Sequence, residues 1–231
     1  MPEQAHQQQP QLIQTGDGSH SLYNPALDET YHSHHGALQE SQYVFIRMGL
    51  DAWQAKQPAA ESLSVLEIGF GTGLNALLAL QWALQQKIKV HFTTLEPYPV
   101  LLETAEQLNY PQLTEGEKDF LRLHQAPWDE DVLLYDYFIL HKKKLKLEEA
   151  VLAEESFDVV FFDAFAPNKQ PELWEKPLLE KTISFMAPGA LLTTYCAKGQ
   201  LKRDLRDAGL QVETLPGAPG KKEMVRGTKS N

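Results

Sequence analysis

Val65-Leu66-Glu67-Ile68-Gly69-Phe70-Gly71-Thr72-Gly73-Leu74-Asn75 closes a short apolar run, turns through three spaced glycines and opens a second apolar run at helical spacing. This reads as a strand, a tight turn and a helix. Glycine permits positive φ and lets a ligand approach the backbone with no Cβ in the way. The free N–H groups at the start of the helix then favour an anionic or polar ligand group. A spaced glycine pair is weak evidence alone, because many βα turns contain one. Two features strengthen it: the turn follows the first strand of the repeating region, and Glu96 ends the next apolar run. An acid about 20 residues beyond such a turn accepts the ribose hydroxyls of an adenosine-containing cofactor. The third glycine of the dinucleotide fingerprint is replaced by Leu74, which makes NAD the runner-up.

Outward from this turn the chain alternates strands and helices. Strands are predicted at residues 64–68, 89–95, 121–124, 157–162 and 190–195, and helices at 73–85, 100–108, 173–186 and 200–208. Residues 137–147 form one strand or a hairpin, and the run Lys142, Lys143, Lys144 reads as a solvated strand edge. Residues 211–214 and 224–226 are final strands around a Pro/Gly-rich loop, too short for a parallel crossover. Repeated βα units predict a mostly parallel sheet covered by helices on both faces, with an antiparallel last strand. Upstream, residues 1–15 are Gln-rich and polar and read as a disordered N-terminus; residues 16–36 are a loop-rich arm. Residues 37–54 have the period of an amphipathic helix. The expected division is therefore an arm and helix over 16–60 and an α/β core over 61–231, in a single domain.

With 231 residues, 42% hydrophobic and 23% charged, the composition is that of an ordinary globular protein. No apolar run approaches the ~20 residues of a membrane span, and no export signal is visible, so the cytoplasm is the expected compartment. Cys196 stands alone, which excludes an internal disulfide and a multi-cysteine zinc site. At the end of an apolar run it reads as packing. His32, His34 and His35 lack a spaced acid or cysteine partner, so no metal is expected and they read as loop residues near a substrate entrance. The net charge of −10 opposes nucleic-acid binding at long range. Its distribution is uneven, however: Lys198, Lys202, Arg203, Arg206, Lys221, Lys222, Arg226 and Lys229 form a basic region, whose plainest reading is a solvated helix face and tail.

A second constellation is Phe161-Phe162-Asp163-Ala164-Phe165-Ala166-Pro167, followed by Pro171-Glu172-Leu173-Trp174. An apolar strand delivers Asp163 to the carboxyl edge of the sheet, where open α/β sheets bind ligands. Such an aspartate more often caps the next helix; the crevice position and the adjacent Phe165 favour function here. Trp174 reads as core.

These residues resemble the signature of the tRNA 5-aminomethyl-2-thiouridine methyltransferases, the family comprising the methyltransferase half of the bifunctional MnmC proteins and its stand-alone relatives. Three further stretches agree in order: Tyr31-His32-Ser33 through Gly36, Glu40, Tyr43-Val44-Phe45 and Gly49-Leu50; the glycine loop to Asn75; and Thr194-Tyr195 through Gly220-Lys221-Lys222-Glu223-Met224 and Gly227. The resemblance implies a Rossmann-like class I methyltransferase fold with a seven-stranded sheet. It implies S-adenosyl-L-methionine as cofactor, held by Glu67, Gly69, Gly71, Gly73, Asn75 and Glu96. It further implies N-methylation of the 5-aminomethyl group of a wobble 2-thiouridine, with Asp163 as the catalytic carboxylate. Phe165 and Pro167 would then hold the base, and Lys221, Lys222 and Arg226 the backbone of the tRNA anticodon region. The aminomethyl precursor would come from a separate enzyme, since a flavin-dependent oxidase half has no room in this chain. Ala164 departs from the usual glycine, and residues 142–147 replace a Gly-Asp turn whose acid contacts adenine; that contact is left to Glu148, a backbone group or nothing polar. The other readings are a methyltransferase of the same fold acting on a small-molecule amine, and an NAD-linked oxidoreductase.

Overall fold

A computed structural model describes residues 9–230. Its centre is an eight-stranded sheet in the order β10-β11-β9-β8-β4-β5-β7-β6. The inner strands β4 (Ser62–Ile68), β5 (Lys89–Leu95), β7 (Phe138–Lys143), β8 (Phe157–Phe162) and β9 (Met186–Thr194) pair in parallel. β11 (Glu223–Lys229) lies antiparallel between β9 and β10 (Leu210–Pro216), as the short final loop requires. β8 shows how the sequence builds both layers. Val159 and Phe161 face one apolar cluster while Val160 and Phe162 face the other, the two-residue period of a strand buried on both sides.

Over the first face lie α3 (Leu74–Gln86) and a continuous helical stretch made of α1 (Ala37–Ser41), a π-wound segment Gln42–Asp51 and α2 (Ala52–Lys56). The wide-wound segment brings Gly49 onto the sheet, where a Cβ would lie 3.2 Å from the Phe161 ring. On the second face, α7 (Lys176–Phe185) and α8 (Gly199–Asp207) bury Leu179, Ile183, Leu201 and Leu205.

Several expectations are corrected. Residues 121–124 are not a strand but part of α6 (Glu117–Gln125), with Phe120 and Leu123 buried at helical spacing. Four residues with alternate leucines do not separate the two periods, whereas Glu117 and Asp119 at one end and Arg122 and His124 at the other suit a helix dipole. The 137–147 region is the second arm of a hairpin with β6 (Asp131–Tyr135), and this added edge strand makes the sheet eight-stranded rather than seven. β7 is thereby internal, and Lys142 is 0% exposed rather than a solvated edge. Helix 100–108 shrinks to α4 (Leu102–Ala105), followed by α5 (Tyr110–Thr114), and the chain makes a 3-10 turn at Pro171–Trp174 before α7.

The disordered N-terminus expected to residue 15 is also revised, with residues 1–8 outside those described. β1 (Gln11–Gln14) pairs with β2 (His20–Asn24), which pairs with β3 (Glu29–Thr30) in a small antiparallel sheet. A polar knot, invisible to apolar periodicity, holds this arm. The Asp17 carboxylate accepts Ser19 N–H at 3.0 Å and Gln39 N–H at 3.0 Å, while Ser19 Oγ accepts Ala37 N–H and Leu38 N–H, both at 3.2 Å. The arm therefore caps α1 from a distance. Among the described residues no helix is long and apolar enough to cross a membrane.

Burial pushes the Asp17 carboxyl up, but its hydrogen bonds to Ser19, Gln39 and Thr15 outweigh this and hold it below its ordinary value. A depressed carboxyl stabilises the fold above its unfolded value and loses that effect as pH falls through its folded one. Asp17→Asn should cost about 1 kcal/mol at pH 7, with the difference from wild type vanishing in acid; urea titrations at neutral pH and below pH 4 measure both.

Candidate active site

β4, β5 and β8 end level, with Ile68 paired to both Leu95 and Phe162. The next residues, Gly69, Glu96 and Asp163, consequently meet on one rim, at the point where the chain order in the sheet reverses. They line a cavity of about 720 Å³.

Gly69 has φ +96°, and a Cβ there would lie 2.7 Å from the Asp163 carbonyl oxygen. Its N–H donates to Leu95 O at 2.9 Å, and Asp163 N–H donates to Ile68 O at 3.1 Å. The loop is thus stitched to both neighbouring strand ends. Gly73 is left-handed, φ +76°, and starts α3. Glu96 accepts Gly71 N–H at 3.0 Å on one oxygen and Tyr98 N–H at 2.8 Å on the other. Each oxygen keeps a second lone pair, so the carboxylate is fixed in position with capacity left for ribose hydroxyls. Burial raises its pKa, against those two N–H bonds.

Asn75, in the first turn of α3, donates Nδ2–H to Asp163 Oδ2 at 2.8 Å. Burial and then the Glu40 charge push Asp163 up to about 7, while Asn75 and Lys221 oppose them. Its proton is therefore exchangeable near neutrality. Phe165 packs edge-on against Tyr31 at 4.9 Å between centroids. The loop carrying it is held by two donors: Trp174 Nε1–H to Phe165 O at 2.7 Å, and Tyr195 OH to Ala164 O at 2.8 Å. Trp174 is buried as expected, and it also fixes this loop. Ala164 is not among the positive-φ residues, so alanine replaces the usual glycine without strain.

Of the cofactor residues expected from sequence, Gly69, Gly71, Asn75 and Glu96 line the cavity; Gly73 faces His124 instead. Glu67 is fully buried beneath the loop, with Oε2 accepting the Thr94 hydroxyl at 2.7 Å. Burial foremost, with the Asp163 and Glu96 charges, pushes it up to about 8, against its hydrogen bonds with Thr94 and Asn75. Pro167 stands outside the lining.

The basic trio separates. Lys221 turns into the cavity, 2.5 Å from Glu40 Oε1 and 4.0 Å from the Tyr195 ring centroid. Arg226 pairs with Glu213 at 2.9 Å across β10 and β11. Lys222 is exposed. Lys221 and Arg226 thus meet carboxylates of their own chain rather than forming an open track with Lys222.

Sequence reasoning missed Glu40 and His32 as parts of the site. Glu40 is buried, accepts Ser33 N–H at 2.9 Å and anchors Lys221. His32 hydrogen-bonds Thr72 Oγ1 at 2.7 Å, and burial foremost lowers it to about 4, so it is neutral. A buried acid inside an apolar helical period was the available signal for Glu40. Leu145, Leu147 and Glu148, from the stretch where the sequence left the adenine contact open, also line the cavity. Among the described residues no group of three His, Cys, Asp or Glu side chains could hold a metal ion.

A family model described as S-adenosyl-L-methionine-dependent methyltransferase matches residues 121–230. The chain is 32% identical over 216 residues to the tRNA 5-methylaminomethyl-2-thiouridine biosynthesis bifunctional protein MnmC of Idiomarina loihiensis, covering 87% of this chain and 36% of that protein. It is 30% identical over 219 residues to the MnmC protein of Leptospira interrogans, covering 89% and 33%. It therefore spans about a third of the length of these curated relatives. Among solved structures, MnmC2 from Aquifex aeolicus superposes with a TM-score of 0.71 at 24% identity, covering 97% of this chain and 72% of that one. Spermidine synthase from Thermotoga maritima gives 0.57 at 12%, covering 97% and 80%; both likenesses concern the fold. Residues 121–230 thus match the S-adenosyl-L-methionine-dependent methyltransferases, which gives S-adenosyl-L-methionine as the cofactor. Within that class it is a relative of the methyltransferase domain of the MnmC proteins.

Gly69→Ala should lower cofactor affinity at least tenfold and cost about 1–3 kcal/mol of stability, because the backbone strain and the clash with Asp163 displace the loop. Calorimetric titration with S-adenosylhomocysteine and thermal melting measure the two effects.

Proposed function

We propose that this chain N-methylates the 5-aminomethyl group of a wobble 2-thiouridine in tRNA, yielding 5-methylaminomethyl-2-thiouridine. The observation that carries this reading is the placement of Asp163: a carboxyl titrating near 7, held by Asn75, beside the aromatic wall of Phe165 and Tyr31. S-adenosylmethionine, when bound, supplies a sulfonium methyl with a thioether leaving group. The chain must add alignment and an amine free of its proton. Gly69, Gly71, Asn75 and Glu96 hold the cofactor, while Phe165 stacks on or walls a base turned out of its strand. Transfer of that methyl would leave the product amine with a surplus proton, which Asp163 would take.

The lining also suits an amine. Glu29, Glu40, Glu96, Glu148, Asp163 and Glu172 face the cavity with only Lys146 and Lys221 against them among its lysines and arginines. A cavity of this sign attracts cations. Lys222, exposed beside the mouth-lining Lys221, is the residue of the basic trio best placed to meet tRNA phosphate. A tRNA substrate places the reaction in the cytoplasm, downstream of a separate enzyme that makes the aminomethyl group. The NAD-linked alternative is not favoured. A small-molecule amine acceptor remains the second reading, because the acidic lining would serve it equally well.

The deciding experiment is mass spectrometry of tRNA nucleosides after incubation with the chain and cofactor. Conversion of 5-aminomethyl-2-thiouridine to its methylaminomethyl form supports the proposal; cofactor binding without conversion removes it. Asp163→Asn should lower transfer by a factor of about 10² or more with cofactor affinity preserved. Because Asp163 must be ionised to take a proton, wild-type kcat/KM should rise through its value near 7. Lys222→Glu should reduce the salt dependence of tRNA binding by about one phosphate contact; an unchanged slope assigns Lys222 to an ordinary solvated turn.

A further inference from the structure

On the side of the glycine loop away from the cavity stands a buried cation with no part in the chemistry above. Lys142 is 0% exposed. Its Nζ donates to His124 O at 2.7 Å and lies 4.6 Å from the Trp128 ring centroid and 5.4 Å from that of Phe70. Phe70 is itself a loop residue, between Gly69 and Gly71. His124 reaches the same loop, donating Nε2–H to Thr72 O at 3.1 Å, with its ring 5.2 Å from Phe70 and against Gly73. One ammonium thus holds the loop by two routes, one through a ring face and one through a histidine.

The surroundings suit a positive charge without neutralising it. The His124 carbonyl belongs to the last turn of α6, the negative end of that helix. His124 is the titratable side chain facing Lys142, and burial foremost lowers it to about 4, so it adds no charge. On β5 the paired position is Thr94, whose hydroxyl is spent on Glu67. Asp129, on the other side, gives its carboxylate to Lys144 N–H. Among the described residues no carboxylate pairs with the Lys142 ammonium. Burial lowers the amine to about 8, leaving it charged at neutral pH. Burying a lone cation opposes folding, and an apolar side chain of similar volume would avoid that penalty.

We propose that Lys142 is a positioning residue for the cofactor: its charged amine fixes Phe70 by a cation–π contact and Thr72 through His124, holding the glycine loop in its binding form. Cofactor affinity then depends on the charge of a residue that does not touch the cofactor. The test is calorimetric titration of wild type and Lys142→Met with S-adenosylhomocysteine at pH 7 and pH 9.5. At pH 7 the variant should bind about tenfold more weakly. At pH 9.5 the ratio should shrink to about twofold, since the wild-type lysine has then lost most of its charge. The ligand's own titration cancels in this ratio. The variant should melt within about 3 °C of wild type at pH 7, because the removed charge was itself a burden on folding. Equal affinities at pH 7, or a ratio that does not change with pH, overturn the proposal and reduce Lys142 to a space-filling role. Trp128→Leu, at a half-buried position, provides a second arm that leaves the lysine in place. It should weaken binding about threefold at pH 7 and converge on wild type at pH 9.5; unchanged affinity in this variant also overturns the proposal. Both arms read cofactor binding alone, so their outcome is independent of whether tRNA is the acceptor.

Discussion

Gly69 rests against the main chain of Asp163 with no side chain between them, and the geometry of the whole site follows from that contact. The two residues extend neighbouring parallel strands, and backbone hydrogen bonds run between the strand ends at Ile68, Leu95 and Asp163. The glycine loop and the residue carrying the Asp163 carboxylate are therefore parts of one backbone assembly. Their separation is set by sheet geometry, which packed interiors hold to fractions of an ångström. Asn75 repeats the link one layer higher, joining the start of α3 to the Asp163 side chain.

A second constraint is electrostatic. Glu67, Glu96 and Asp163 all sit where burial raises their pKa values, and Glu40 adds to the effect at Asp163. Such crowding is unfavourable by itself and becomes favourable around a cationic ligand such as the cofactor's sulfonium. The site carries a charge pattern complementary to a cation before one arrives. Neutral His32 and the Glu40–Lys221 pair fit the same pattern, since neither places an uncompensated cation beside the acceptor.

Legibility in the sequence followed local periodicity. The central strands were readable from the apolar run of β8 and the alternation of Val90 and Phe92 in β5, and Gly69, Glu96 and Asp163 were readable because each stands just past such a strand. The helix α6 was misread because a four-residue window with alternate leucines fits two periods. Lys142 was misread because a lysine run normally marks solvent, whereas the rings of Trp128 and Phe70 and the end of α6 enclose it. The knot of Thr15, Asp17 and Ser19 escaped because its bonds run to the start of α1, some 20 residues away. The resemblance implied a phosphate contact for Lys221, while its orientation depends on Glu40, 181 positions earlier in the chain. Long-range polar pairings of this kind have no local signature.

One wall of the cavity is assembled from distant parts of the sequence, with Tyr31, His35 and Glu40 from the N-terminal region and Lys221 from near the C-terminus. β11, which follows Lys221, inserts between β9 and β10, so the sheet edge is completed out of chain order. During synthesis the cofactor loop and its strands emerge well before that insertion. A nascent chain can form the glycine loop while the Lys221 wall of the cavity is still missing. Non-local closure of this sort is slow compared with helix formation. The cavity is thus enclosed on all sides only when the last strand has taken its place in the sheet.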